Sequence, residues 1–263
     1  MDYNLTMKII KNISQQRVDE WEKIDEKGLN YHTIQWESPK ESTLAFVEFI
    51  RSTLCSAKNV VDMGAGGGAA TAFLADEFPE INFTAFDYSH ELIALGKKIN
   101  SIKKISNLDF EVGDWYKLNL GKKYDGCISL QTLSWLPSFE TPIIEILKKI
   151  KPDFFAFTSL FYEGDITCRI EVEEHARESR KTFYNVYSLQ AINRLCKEHG
   201  YEIKKYSPFN INIDIERPAD KNLMGTYTEL LIDKKTGLKR RIQVSGPLLM
   251  NWYMVLITRA PGN

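Results

Sequence analysis

Val60-Val61-Asp62-Met63-Gly64-Ala65-Gly66-Gly67-Gly68 decides how this chain folds. The apolar pair reads as the end of a buried strand, Asp62 closes it, and four glycines follow within five residues. Residues 69–78 then read as a helix stopped by Pro79. Strand, glycine turn and helix in that order make such a run a ligand site rather than a loose loop. Glycine admits positive φ and lets a ligand approach the backbone closely.

The same unit repeats downstream. Residues 81–86 read as a second strand, ended by Asp87-Tyr88-Ser89, and 91–98 as a helix with Leu92 and Leu95 inward. A third strand over 108–112 closes on Gly113-Asp114-Trp115, and a fourth over 124–130 buries Cys127, Ile128 and Leu130. A helix over 141–149 and a strand over 154–159 follow. Upstream, Ser42 or Thr43 can cap a helix that carries Leu44, Val47, Ile50 and Leu54 on one face. Alternating strands and helices predict a mostly parallel sheet covered on both faces.

The flanks differ. Residues 1–41 are polar with spaced aromatics and form an N-terminal lid or packing segment, with a short helix over 14–27 ended by Gly28. Trp21 suits packing, whereas Tyr31, His32 and Trp36 suit packing or a lid equally. Residues 160–187 leave the sheet pattern, with a charge-dense stretch over 171–181 that reads as part helical. Ser188 then caps a helix that ends at Gly200. Strands are expected over 201–206, 211–215, 225–232, 238–244 and 252–258, with a hairpin around Gly237. Residues 233–241 are basic after Asp233, which fits a solvated hairpin tip better than a phosphate site.

With 263 residues, 43% of them hydrophobic, the chain can bury a large core. A formal charge of −1 supplies no global field for nucleic acid or an anionic membrane. Cys55, Cys127, Cys168 and Cys196 lie far apart without a CxxC pair, as reduced or core thiols do, so no metal framework is expected. No signal-like run or membrane-spanning stretch is present, so a cytoplasmic protein, monomeric or homodimeric, is expected.

Two acidic strand ends organise the ligand argument. Asp87 lies 25 residues after Asp62, one strand–helix–strand unit later, where a carboxylate can accept both hydroxyls of a ribose. That alone suits a nicotinamide dinucleotide enzyme as well as any other nucleoside binder. Gly113-Asp114-Trp115 adds a carboxylate for an exocyclic amine and a face for a purine, with Phe86 and Tyr88 opposite. The plainer alternatives are Trp115 as core and Asp114 as a turn residue.

In that order, VVDMGAGGG, FTAFDYS, FEVGDW and YDGCISLQTLSWL resemble a Rossmann-like, class I S-adenosylmethionine-dependent methyltransferase. The resemblance covers residues 42–160 and extends to the end through the strand-rich tail. It implies a seven-stranded, mostly parallel sheet with an antiparallel last strand, and one domain over 42–263 with insertions at 160–187 and 211–245. It also implies that Asp62, Gly64, Gly66 and Gly68 hold the amino-acid part of the donor, and that Asp87, beside Tyr88, holds its ribose. Gly113, Asp114 and Trp115 would address adenine, and Ser129, Leu130 and Gln131 would run beneath the sulfonium.

Acceptor candidates are Tyr31, Trp36, Trp135, Tyr184 and Tyr187, with His32, Tyr162 and Glu163 as catalytic candidates. His32 is a candidate base because imidazole titrates near neutrality. A carboxylate acceptor would want Arg169, Arg177 or Arg180. Leu130-Gln131-Thr132-Leu133 stands where an Asn/Asp-Pro-Pro-Tyr motif of amino methylation would. A small-molecule acceptor is therefore expected; the alternatives are methylation of tRNA or protein, and a nucleotide binder or dinucleotide oxidoreductase.

Overall fold

A computed structural model describes residues 24, 26–175, 180–217, 219, 226–245 and 252–260. Its strands are β1 (Asn59–Met63), β2 (Asn82–Asp87), β3 (Leu108–Val112), β4 (Gly126–Leu130), β5 (Phe154–Tyr162), β6 (Glu171–Glu174), β7 (Arg180–Phe183), β8 (Tyr187–Ser188), β9 (Tyr201–Phe209), β10 (Thr226–Ile232), β11 (Lys239–Ser245) and β12 (Trp252–Arg259). Its helices are α1 (Glu26–Ile34), α2 (Glu41–Leu54), α3 (Ala69–Glu77), α4 (His90–Lys103), α5 (Glu140–Glu145) and α6 (Leu189–Lys197).

The main sheet runs β3-β2-β1-β4-β5-β12-β9, and β8 adds a short parallel pairing at the end of β5. β12 is antiparallel to both neighbours, as expected for the last strand. Period-two alternation divides the core between the two faces. Val60 on β1 and Phe154, Ala156 and Leu160 on β5 join Phe46, Ile50, Leu54 and Leu74 of α2 and α3. Val61, Met63, Phe155, Phe157 and Phe161 join Ile143, Ile192 and Cys196 of α5 and α6 on the other face. Strands buried on both faces read as the unbroken apolar runs seen in the sequence. The order reverses between β1 and β4, and in such sheets ligands bind beyond the strand ends at that crevice.

Several local expectations need correction. Helix α2 begins at Glu41 after an extended Lys40 that makes no side-chain cap, so Ser42 and Thr43 lie inside the first turn. Its buried stripe is Thr43, Phe46, Val47, Ile50 and Leu54, which leaves Leu44 exposed. Gly28 lies within α1 and ends no helix, while Trp21 falls outside the described residues. The charge-dense 171–181 stretch pairs as the antiparallel hairpin β6–β7 rather than as helix. Alternation of Val172 with its flanking glutamates outweighs the helical composition there. Residues 211–215 form no strand and meet β10 at Thr228, whose N–H donates to the Ile215 carbonyl at 3.0 Å. After Glu145, α5 continues through a π turn over Ile146–Ile150, which buries Ile146, Leu147 and Ile150 together. Ser89 and Ser188 cap α4 and α6, accepting from Leu92 N and Ala191 N. Among the described residues no helix is long and apolar enough to cross a membrane.

Candidate donor site and acceptor edge

The loop after β1 takes left-handed backbone at Gly64, Gly66 and Gly68, with φ of 74°, 58° and 76°. Each is also crowded. A Cβ on Gly64 would strike the Thr132 side chain, one on Gly66 would lie 2.8 Å from His32 Cε1, and one on Gly68 2.7 Å from Phe110 Cε1. Glycine is required here on both counts.

Four outside groups brace the loop. Asp87, at the end of β2, accepts from Gly66 N–H at 2.7 Å through Oδ2 and from Ser89 N–H at 2.9 Å through Oδ1. Thr132, just past β4, donates its hydroxyl to the Gly64 carbonyl at 3.0 Å. Trp36, just past α1, donates Nε1–H to the Gly67 carbonyl at 3.0 Å. Its indole stacks on Phe110 with centroids 6.5 Å apart. The Phe86 carbonyl accepts from Gly64 and Ala65 N–H, which ties the loop to β2.

Asp62 is almost fully buried at the end of β1. Thr71 donates its hydroxyl to Oδ2 at 2.6 Å, while Oδ1 has no partner. Burial pushes its carboxyl up to about 7, the Asp87 charge adds to the rise, and the Thr71 hydrogen bond opposes it. Asp87 is also raised by burial, against the lowering effect of backbone N–H groups at Ser89, Gly66 and Tyr88. A buried carboxylate oxygen without a partner is costly unless a ligand completes it. The orphaned Asp62 oxygen beside a crowded glycine loop fits a cationic group of a nucleoside ligand, and the hydrogen-bonded Asp87 lies at the next strand end.

His32 lies over Gly66, and burial first, then Lys40, lowers its pKa to about 4. The imidazole is therefore neutral near pH 7. Tyr31 meets it edge-on at 5.3 Å but is exposed, and its hydroxyl accepts from Lys40 Nζ at 2.9 Å.

Beyond β3, Gly113 N–H donates to the Asp87 carbonyl at 3.0 Å, and the Phe86 ring leaves no room for a Cβ there. Asp114 caps a short turn by accepting from Tyr116 N–H at 2.8 Å through Oδ1. Trp115 belongs to the core: it packs with Val61, Met63 and Phe86, and donates Nε1–H to the Pro142 carbonyl at 3.0 Å. Trp115 therefore offers no open face for a purine, and Asp114 is a turn residue through one of its two carboxylate oxygens.

Past the switch point, fully buried Ser129 donates to the Met63 carbonyl at 2.7 Å and joins β4 to β1. Leu130 is half-buried at the strand end. Gln131 takes φ of 60°, and its Nε2 reaches Ser42 Oγ at 3.2 Å. Thr132 was not among the expected residues; its signal was a hydroxyl directly after a strand end that faces the glycine loop.

The acceptor candidates separate. Trp135 and Tyr184 meet edge to face at 5.1 Å, in the same apolar cluster as Leu130 and Trp36. Tyr187 is fully buried on the other face, donating to the Leu136 carbonyl at 2.7 Å and accepting from Asn185 Nδ2 at 2.8 Å, so it is a core residue. Tyr162 and Glu163 are exposed at the end of β5, where Glu163 accepts from the Tyr253 hydroxyl at 3.2 Å. Among the described residues no hydrogen bond or ring contact links Glu163 to His32. Arg169 pairs with Glu140 at 3.2 Å, Arg177 lies outside the described residues, and the Arg180 side chain is not described.

Comparison with known proteins places this geometry. The profile of a methyltransferase-domain family matches residues 54–205. A malonyl-[acyl-carrier protein] O-methyltransferase of Priestia megaterium is 27% identical over 165 residues, covering 58% of this chain and 59% of that protein. A release factor glutamine methyltransferase of Aliivibrio fischeri is 31% identical over 93 residues, covering 35% of this chain and 33% of that protein. The chain thus spans between about a third and three fifths of the length of these curated relatives. The O-methyltransferase of a trans-AT polyketide synthase multienzyme from Brevibacillus brevis, solved with S-adenosyl-L-homocysteine, superposes with a TM-score of 0.56 at 13% identity, covering 84% of this chain and 73% of that one.

Proposed function

This chain belongs to the methyltransferase-domain family, a class I fold that takes S-adenosylmethionine as its cofactor, and on that premise we propose that it methylates a small-molecule acceptor through an oxygen or nitrogen nucleophile. The donor half of the reading rests on the orphaned Asp62 Oδ1, buried beside a glycine loop braced from four sides, and the acceptor half on Leu130-Gln131-Thr132-Leu133 standing where an amino-methylation motif would, with half-buried Trp135 beyond it. The bound donor supplies an electrophilic methyl on a cationic sulfur. Everything else falls to the chain.

Asp62 Oδ1 would accept the donor's ammonium, which would give that buried atom a partner. The Asp87 carboxylate, which takes backbone N–H groups of Gly66, Ser89 and Tyr88, keeps lone-pair capacity for a ribose hydroxyl. Asp114 keeps one oxygen for the adenine edge. Trp135, half-buried and backed edge-on by the buried Tyr184 ring, forms the apolar wall along which the acceptor approaches. In-line transfer depends mainly on alignment and exclusion of water, which this wall and the 26–40 segment provide.

With its pKa near 4, His32 is a weak base, so its assigned role is to pack over Gly66. Methyl transfer should therefore show no inflection near pH 6.5 attributable to it. The O-methyltransferase activity in the name of the Priestia megaterium relative supports an oxygen nucleophile.

The test is a donor-consumption screen over metabolite pools, followed by mass detection of a product one methylene heavier. Turnover of a small acceptor supports the reading; turnover only with tRNA or protein overturns it. Once the acceptor is known, Trp135→Ala is expected to raise its KM about tenfold, because the wall ring is removed. Donor affinity should stay unchanged, and a fall in donor affinity alone would contradict the wall assignment.

Trp36 was expected at the acceptor; its hydrogen bond to the Gly67 carbonyl supports a role in holding the loop instead. Trp36→Phe keeps the stacked ring and deletes one buried hydrogen bond, which is typically worth about 1 kcal/mol. S-adenosylhomocysteine affinity should fall roughly three- to tenfold by calorimetry. Unchanged affinity in a folded variant would contradict this assignment.

A further inference from the structure

The segment after β9 leaves the sheet at Phe209 and returns at Trp252, which pairs with both Phe209 and Leu160. It therefore springs from the edge where β5 ends, on the acceptor side of the switch point. Its hairpin β10–β11 sets Leu230 opposite Arg241, Leu231 opposite Arg240, and Ile232 opposite Lys239. Leu230, Leu231, Ile232 and Leu238 are 48–69% exposed, so large aliphatic side chains stand in water among cations. Residues 233–241 hold five cationic side chains and one carboxylate, in a chain whose formal charge is −1.

The base of the hairpin is well held. Ile242 and Val244 are buried, and Arg241 donates to Asp214 Oδ1 at 2.9 Å and Asn212 Oδ1 at 3.0 Å. Lys234, Lys235, Lys239 and Arg240 are exposed. Alternation along the strands puts Leu231, Leu238 and Arg240 on one face and Leu230, Ile232, Lys239 and Arg241 on the other, so each face of the outer half sets two exposed aliphatics beside cations, which suits docking better than folding.

We propose that the outer half of β10–β11 docks an acidic protein partner, seating an amphipathic helix on the face of Leu231 and Leu238, with its leucine-like side on those two residues and its carboxylates on Arg240 and the apex lysines Lys234 and Lys235. Three features select this occupant. The apex is polar, with Asp233 Oδ1 accepting from Lys235 and Thr236 N–H at 2.8 Å each, so entry into a bilayer would carry charges in ahead of the aliphatics. No aromatic residue occurs between Glu229 and Arg241, so bases would find no stacking platform. The mixed apolar and cationic surface is complementary to an acidic amphipathic helix. Such a partner would stand beside the acceptor entrance, an idea that rests on the methyl-transfer reading, whereas the docking itself does not.

The test uses the full chain and fluorescent helical peptides in an anisotropy titration. One peptide carries Leu at helical spacing among Glu, a second replaces Leu by Gln, and a third replaces Glu by Lys. The Glu/Leu peptide is expected to bind at least tenfold tighter than either control and to weaken with salt. Lys234→Glu/Lys235→Glu/Arg240→Glu and, separately, Leu231→Ser/Leu238→Ser should each lose that binding about tenfold. S-adenosylhomocysteine affinity should stay at the wild-type value in both, which separates loss of docking from loss of the donor site or fold. Equal binding of the three peptides, undiminished binding by the variants, or tighter binding to phosphatidylglycerol vesicles or single-stranded RNA than to the Glu/Leu peptide would overturn the proposal. So would a dimer that buries the hairpin and is broken by the same substitutions.

Discussion

Asp62→Asn is expected to weaken S-adenosylhomocysteine binding roughly a hundredfold, while stabilising the ligand-free chain at pH 8. The first effect follows from deleting one partner of a desolvated charge pair, which typically costs about 2–5 kcal/mol. The second follows from the same burial. Asp62 moves from 3.8 to about 7 in the fold, so between those values the folded chain retains a proton that the unfolded chain has released. Stability is therefore lost as pH rises through that window and levels off above it. A shift of that size corresponds to an upper limit of about 4 kcal/mol. Asparagine carries no proton to lose and can still accept from Thr71. The variant's advantage in urea unfolding should accordingly grow between pH 5 and pH 8. An equal gap at both pH values would show that Asp62 is not held in its neutral form. Binding should improve for the wild type over the same rise in pH, because the carboxylate form is the one that receives an ammonium group.

A glycine series is the second large effect. Gly68→Ala is expected to destabilise the chain by about 3 kcal/mol or more, since it meets both a left-handed backbone and the Phe110 ring. Gly237→Ala shares the positive φ of 68° but has nothing within 4 Å, and should cost about 1 kcal/mol. Gly121→Ala has neither constraint and should fall within about 0.5 kcal/mol of wild type. Equilibrium unfolding of the three separates backbone strain from crowding. A Gly68→Ala cost no greater than that of Gly237→Ala would refute the crowding argument.

The sheet was legible because its signals are local and repeated. The first three parallel strands end at or beside Asp62, Asp87 and Gly113, and period and spacing then place those ends at one edge. What stayed hidden depends on contacts across long separations. Trp36 reaches Gly67 over 31 positions with nothing near it to announce that partner, and Thr132 reaches Gly64 over 68 with only its place after a strand end as a signal. Aromatic residues misled for a related reason. Trp115 and Tyr187 have the size and polar atom of ligand-binding rings, but Pro142 and Leu136 carbonyls satisfy those atoms inside the core. Glutamate-rich β6 likewise carried a helical composition over a two-residue alternation, and the alternation prevailed once β7 was there to pair.

The central claim is that the loop Gly64–Gly68, with Asp62 and Asp87, forms the donor site of a methyltransferase. Calorimetric titration of the wild-type chain with S-adenosylhomocysteine and, separately, with NADH addresses it most directly. Saturable one-to-one binding of S-adenosylhomocysteine, with no heat from NADH, is the predicted result. Tight NADH binding with no response to S-adenosylhomocysteine would contradict it.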